Sequence, residues 1–178
     1  MSSSRTLADR FRSQRTDRIR VDDAEVLSMA EVILRPSSSL ELVIERQRDD
    51  VAQVLSIRSH SHAALVTHVN QEPSGHSPTE LVEVHVPKVS AIEITGDDSS
   101  DTVLQIWNGW QVGAHNHSWL GNSGVIVEDL EAPPGANLRF RLWFSDGLGE
   151  PTFDDLVVLA TIGAVSYTHL TLPTNREV

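Results

Sequence analysis

Two histidine pairs, His60-x-His62 and His115-x-His117, each set two imidazoles two residues apart. On a strand, where side chains alternate, that spacing puts both rings on one face. Two neutral imidazoles joined by a carboxylate or water make a workable zinc, iron or manganese site. His115, His117, His60 and His62 are therefore the candidate metal ligands, with Glu128 as a carboxylate able to complete the shell. The competing reading puts these rings in exposed loops or on the polar side of strands and requires no cofactor. A second chemistry comes from the tryptophans. Trp107, Trp110, Trp119 and Trp143 all fall in the second half of the chain, close to the His115 pair and Asn116. Aromatic platforms flanked by amides and carboxylates grip sugars or peptides. Loops on a rigid scaffold carry function disproportionately, so the loop Ala114–Gly124, with Trp119, Asn116 and Asn122, is the candidate contact surface for a protein or carbohydrate partner. Trp107 and Trp110 are expected instead to form a core-facing pair.

Gly109-x5-His115-x-His117 resembles the opening of the first cupin motif, which implies a jelly roll and a metal held by those histidines. The sequence departs from that family in two places. Ser118–Gly124 contains no carboxylate where the family's glutamate belongs, and after Pro133-x-Gly135, Leu138 stands in the place of its histidine. Gly121-Asn-Ser123-Gly124 resembles the nucleophile segment of chymotrypsin-like serine proteases, with Asp101 and His68 in the matching chain order. The segment between Asp101 and Ser123 is too short to build most of a second barrel. Asp97, Asp98 and Asp101, or Asp146, Glu150, Asp154 and Asp155, offer oxygen ligands to calcium. Neither set follows an EF-hand pattern, and Asp is common in turns. No catalytic set passes its spacing test, so a non-enzymatic role is the expectation.

Composition narrows the classes further. The chain has 178 residues and a net charge of −11, which speaks against a general nucleic-acid binder because phosphate neutralisation needs a basic face. The sign is uneven: residues 1–20 carry six Arg against two Asp, so the remainder sums to about −15. Cysteine is absent, which removes disulfides, thiolate metal sites and cysteine nucleophiles together. No apolar run is long enough to span a bilayer. Met1–Arg20 lacks the apolar core and cleavage site of a secretory signal, so a cytoplasmic location is expected. Lys88 is the only lysine against thirteen Arg, a bias that fits a GC-rich bacterial genome.

The elements that must position these residues read as β. Leu40–Arg46 alternates, Asp49-Asp50 turns the chain, and runs at Val51–Arg58, His62–Val69, Leu81–Val86 and Val89–Thr95 follow. Asn108-Gly109 has the form of a two-residue hairpin turn, which would oppose Trp107 and Trp110 on one face. Val125–Leu130, Leu138–Phe144 and Leu156–Ile162 complete the set; in the second of these, Leu138, Phe140, Leu142 and Phe144 point one way and Arg139, Arg141 and Trp143 the other. Asp22–Leu34 suits a helix or a strand. Thr6-Leu-Ala-Asp9 has a capping-box form, but with few apolar residues nearby the stretch 1–20 is expected to be a mobile Arg-rich arm. Val165–Thr174 resembles the translation of a transposase-based sequencing adapter, so residues 165–178 are read as non-native and the domain as truncated after Ala164. The expectation is an all-β antiparallel sandwich or jelly-roll-like domain over residues 21–164, serving as a binding or interaction module. The alternative is a cupin-like metal enzyme.

Overall fold

The computed structural model describes residues 5–60, 65–68, 81–86 and 89–164. The readings placed on His62 and on residues 165–178 lie outside them. One short helix, α1 (Leu7–Gln14), precedes the strands β1 (Arg18–Val21), β2 (Ala24–Leu27), β3 (Ala30–Leu34), β4 (Ser38–Gln47), β5 (Gln53–Ser59), β6 (Leu65–His68) and β7 (Leu81–His85). They continue as β8 (Ala91–Thr95), β9 (Thr102–Val112), β10 (His115–His117), β11 (Gly124–Leu130), β12 (Ala136–Ser145) and β13 (Leu156–Ala164).

Two antiparallel sheets pack face to face, the all-β sandwich that the alternation implied. The larger has eight strands in the order β1-β2-β11-β12-β13-β4-β8-β6. The smaller runs β10-β9-β5-β7, with β3 pairing β9 as well. Long strands at the centre supply the core: Leu40 and Leu42 of β4, Leu55 of β5, Leu104 and Ile106 of β9, Leu142 and Phe144 of β12 and Leu156 of β13 are all fully buried. The alternation read in Leu138–Phe144 holds. Phe140, Leu142 and Phe144 enter the core, while Arg141 and Trp143 face outward beside Glu128 and Glu45. Trp143's indole N–H, 2.8 Å from the carboxylate, and then Arg141 hold Glu128 below the usual carboxylate range.

At one end of the core a polar bridge joins the sheets. Arg48, just past β4, donates through Nη1 to both oxygens of Asp146 at 3.2 and 3.0 Å and lies 3.6 Å from Asp155. Gln53 of β5 donates to Asp146 Oδ2 at 3.0 Å, and Asn108 of β9 donates to Gln53 Oε1 at 3.4 Å. Burial pushes the Asp155 carboxyl up, although the Asp146 backbone N–H donates to it. The Arg48 guanidinium holds the exposed Asp50 carboxyl down. Asp146 and Asp155, read as possible calcium ligands, are thus engaged with Arg48. Asp97 accepts from the N–H and hydroxyl of Ser99 and from the Ser100 hydroxyl, closing a turn.

The hairpin expected at Asn108-Gly109 does not form. β9 runs unbroken through both residues, and the turn comes five residues later at Gly113-Ala114, where Val112 pairs with His115. Gly113 supplies the positive φ of 63°. Asn108 is buried, and Gly109 is a place of close approach: a Cβ there would sit 2.7 Å from the His117 carbonyl oxygen. An uninterrupted strand puts residues three apart on opposite faces. Trp110 therefore faces inward with Leu104 and Ile106, and Trp107 faces outward. Asp22–Leu34 resolves into β2 and β3. β2 belongs to the large sheet and β3 to the small one, and Ser28-Met29 carries the chain across the side of the sandwich.

The N-terminal stretch is better anchored than its composition suggested. Thr6 caps α1 by accepting from the Asp9 N–H at 3.2 Å. Leu7 and Ala8 are buried at 3% and 4% exposure. With Ile19 and Val26 they form a small second apolar cluster, against which Phe11, Val21, Ile126 and Phe153 pack. Few apolar residues suffice because the helix needs to cover only one edge of the larger sheet.

Candidate functional site

Trp119 follows β10 in a loop and is 38% exposed. Its backbone angle and two interactions define its position. Its backbone is left-handed at φ 55°, its indole N–H donates to the Ser28 carbonyl at 3.2 Å, and its ring stacks on Trp107 at 4.6 Å between centroids. Arg58 of β5 lies 5.2 Å from the Trp107 ring centroid, a cation–π contact that extends the stack. The order follows from the strand register: Ser56 pairs with Trp107 and Arg58 with Gln105, so Arg58 and Trp107 share the outer face. Non-glycine residues in left-handed backbone are uncommon, and a bulky one stays there only where its surroundings hold it.

Beside Trp119 lies a half-open apolar groove of about 240 Å³, lined by Ala8, Phe11, Arg12, Ser28, Met29 and Ser123. It sits where the chain crosses between sheets, so the helix, the crossover and the Trp119 loop each contribute one wall. A shallower hollow continues from it past Arg12, Arg15, Thr16 and Asp17. Small-molecule pockets run to about 300–1,000 Å³ and enclose most of their ligand. A groove of this size and openness has room for one or two side chains. Sequence reasoning singled out Trp119 but not Phe11 or Met29, which line the same groove. The pairing of Leu7 with Phe11 at helical spacing was the available signal, and the tertiary crossover at Met29 had none.

The other predicted residues have different positions. Asn122 is engaged at both ends: its Oδ1 accepts from the Leu7 N–H at 3.1 Å, and its Nδ2 donates to the Gly149 carbonyl at 2.7 Å. It fastens the start of α1 to the Gly147–Gly149 loop. Asn116 lies on the outer face of β10 and donates to Glu83 at 3.1 Å. His115 and His117 share the Trp110 face of β10, and the His117 ring lies 6.2 Å from that of Trp110. His60 hydrogen-bonds Gln105 through Nε2 at 2.9 Å, and its backbone N–H reaches the Val103 carbonyl. Val103 and Trp110, the partner of His117, are seven positions apart on β9, which is roughly 23 Å of strand. Glu128 lies on the outer face of the other sheet. These candidate ligands do not converge, and among the described residues no three His, Asp or Glu side chains cluster in a way that could hold a metal ion.

The protease-like set is dispersed as well. Ser123 is buried at 4% exposure and lines the Trp119 groove near Met29. Asp101 precedes Thr102, which pairs with Leu34 at the far end of β3, and the His68 backbone belongs to β6 at the opposite edge of the large sheet. Among the described residues, no helix is long and apolar enough to cross a membrane. No family profile, curated protein or solved structure matches the chain.

Proposed function

We propose that this chain is a non-catalytic binding module that grips a protein partner through Trp119 and the groove beside it. The observation that carries the reading is the pinned, exposed indole: stacked, hydrogen-bonded and held at positive φ, Trp119 pays little ordering entropy on contact. Rigid aromatics set in a pocket's wall are typical energetic centres of interfaces. A protein is favoured over a carbohydrate because the Trp119 N–H is used internally and the groove surface is mostly apolar, with Ala8, Phe11 and Met29 set among Arg12, Ser28 and Ser123. Sugar recognition needs more polar partners around the ring.

The test is selection of binders from a peptide-display library, run beside a glycan array, followed by affinity measurements on Trp119→Ala and Trp119→Phe. Loss of a central aromatic costs about 2–4 kcal/mol of binding, or roughly 30- to 1,000-fold. Trp119→Ala is expected to fall in that range, with Trp119→Phe intermediate. Binders that ignore Trp119→Ala, or strong glycan hits without peptide hits, would overturn the proposal.

A further inference from the structure

The smaller sheet stops short of the larger one on the side below Met29. β3 pairs with β9 alone, from Ala30↔Ile106 to Leu34↔Thr102, so its other edge has no strand partner among the described residues. Facing it, β11 is joined to β2 only at Val125↔Leu27. The larger sheet therefore overhangs β3 by the inner faces of β11 and β12. The overhang leaves apolar surface open: Val127 is 39%, Leu138 47% and Ile33 54% exposed. Between them runs a groove of about 180 Å³. Its walls include all four consecutive residues Ala30, Glu31, Val32 and Ile33, so it follows the backbone edge of β3 and not one face of it.

We propose that this groove is an acceptor for an extended, cationic segment of a partner protein, which adds a strand to β3. Three observations specify that occupant. First, a strand paired to β3 would lie directly over Val127 and Leu138 and cover them, satisfying the edge N–H and C=O groups while burying aliphatic surface. Second, the groove carries two carboxylates, Asp129 from the overhang and Glu31 from β3. Neither makes an ion pair among the described residues. An uncharged strand laid here would bury Asp129 without a counter-ion, a cost that excludes purely apolar strands. Third, the chain's net charge of −11 draws a cationic segment toward this edge and repels a second copy of the same edge. The matching segment is about five residues long, as β3 is. It carries aliphatic side chains and Lys or Arg on both faces: an inward cation meets Asp129 and an outward one meets Glu31. Side-chain alternation about the β3 backbone sets that arrangement.

The experiment titrates the full chain with a fluorescein-labelled peptide of valine and lysine alone, read by anisotropy. Three comparisons accompany it: a valine–glutamate peptide, the valine–lysine peptide N-methylated at alternate residues, and the variant Glu31→Lys/Asp129→Lys. Saturable binding is expected for the first peptide only, weakened at least tenfold by alternate N-methylation, which removes edge hydrogen bonds and leaves the protein untouched. The double variant is expected to lose the lysine peptide and gain the glutamate one. Both substituted side chains are solvent-accessible, and unchanged circular dichroism would confirm the fold. Absence of saturable binding, indifference to N-methylation or to charge reversal, or self-association through β3 without peptide binding would each overturn the proposal. Trp119→Ala is expected to leave this binding unchanged, which keeps the test separate from that of the Trp119 groove.

Discussion

Asp146→Asn probes the polar bridge that ties the two sheets together. Asp146 is fully buried and accepts from Arg48 Nη1, from the Gln53 side chain, and from the Leu148 N–H at 2.9 Å. Asparagine matches its volume but replaces one acceptor oxygen with a donor. Whichever way the amide points, that donor meets another donor: Arg48 and Gln53 on one side, Arg48 and Leu148 on the other. Removing one partner of a buried ion pair costs about 3–5 kcal/mol. Arg48 is 24% exposed and keeps Asp50 at 2.7 Å, so the lower end, about 3 kcal/mol, is expected. At a urea slope of about 2 kcal/mol per molar, the unfolding midpoint should fall by about 1.5 M. Thermal unfolding should fall by roughly 6–12 °C for a chain of this size. The control is Asp154→Ala, which removes the Arg46–Asp154 pair at 3.2 Å, where the side chains are 63% and 39% exposed; its cost should stay under about 1 kcal/mol. Equal midpoints for the two variants, or a loss below about 1 kcal/mol for Asp146→Asn, would refute the bridge's role.

Further outcomes follow from the same structure. Gly147→Ala drives a Cβ into the Trp110 ring and is expected to cost about 1–3 kcal/mol in denaturant unfolding. Asn122→Ala strips the Leu7 N–H and the Gly149 carbonyl of their partner. It should lower stability by about 1–2 kcal/mol, with hydrogen exchange in α1 accelerating before exchange in the core strands. Asp155 has a folded pKa above its ordinary 3.8, so its native form takes up a proton more readily than the unfolded chain. Its burial costs stability above the folded pKa, and that cost is relieved as pH falls through it toward 3.8. Asp50 and Glu128, held low, act oppositely: their stabilisation is present above the ordinary carboxylate range and is lost as pH falls through their folded values. Asp155→Asn should therefore make the loss of stability on acidification steeper; an unchanged pH profile would count against this assignment.

Much of the β architecture is legible in alternation. Leu40–Arg46 and Leu138–Phe144 keep their two faces in the structure because burial on one side of a sheet selects period-two patterning. Asn108-Gly109 misled because its turn-forming chemistry doubles as a solution to other needs: a small amide to fill a buried polar bridge and a missing Cβ where another backbone approaches. The histidine spacing correctly put His115 and His117 on one face, yet same-face placement within a strand says nothing about what lies across from it.

The sequence by itself determined most of the strand content, the inward and outward faces of β4 and β12, and the cap at Thr6. Tertiary structure alone decided that Trp107 turns outward to stack on Trp119, that Phe11 and Met29 join it in a groove, that Asp146 is bridged to Arg48, and that β3 is left as an edge beneath an overhanging sheet. The reason is the range of the forces involved. Alternation and capping arise between residues a few positions apart, and they print a local pattern. A groove or an open edge depends on which strands pair, a global choice made by burial across the whole core, and distant residues such as Ala8, Met29 and Trp119 carry no mark of one another until that choice is made.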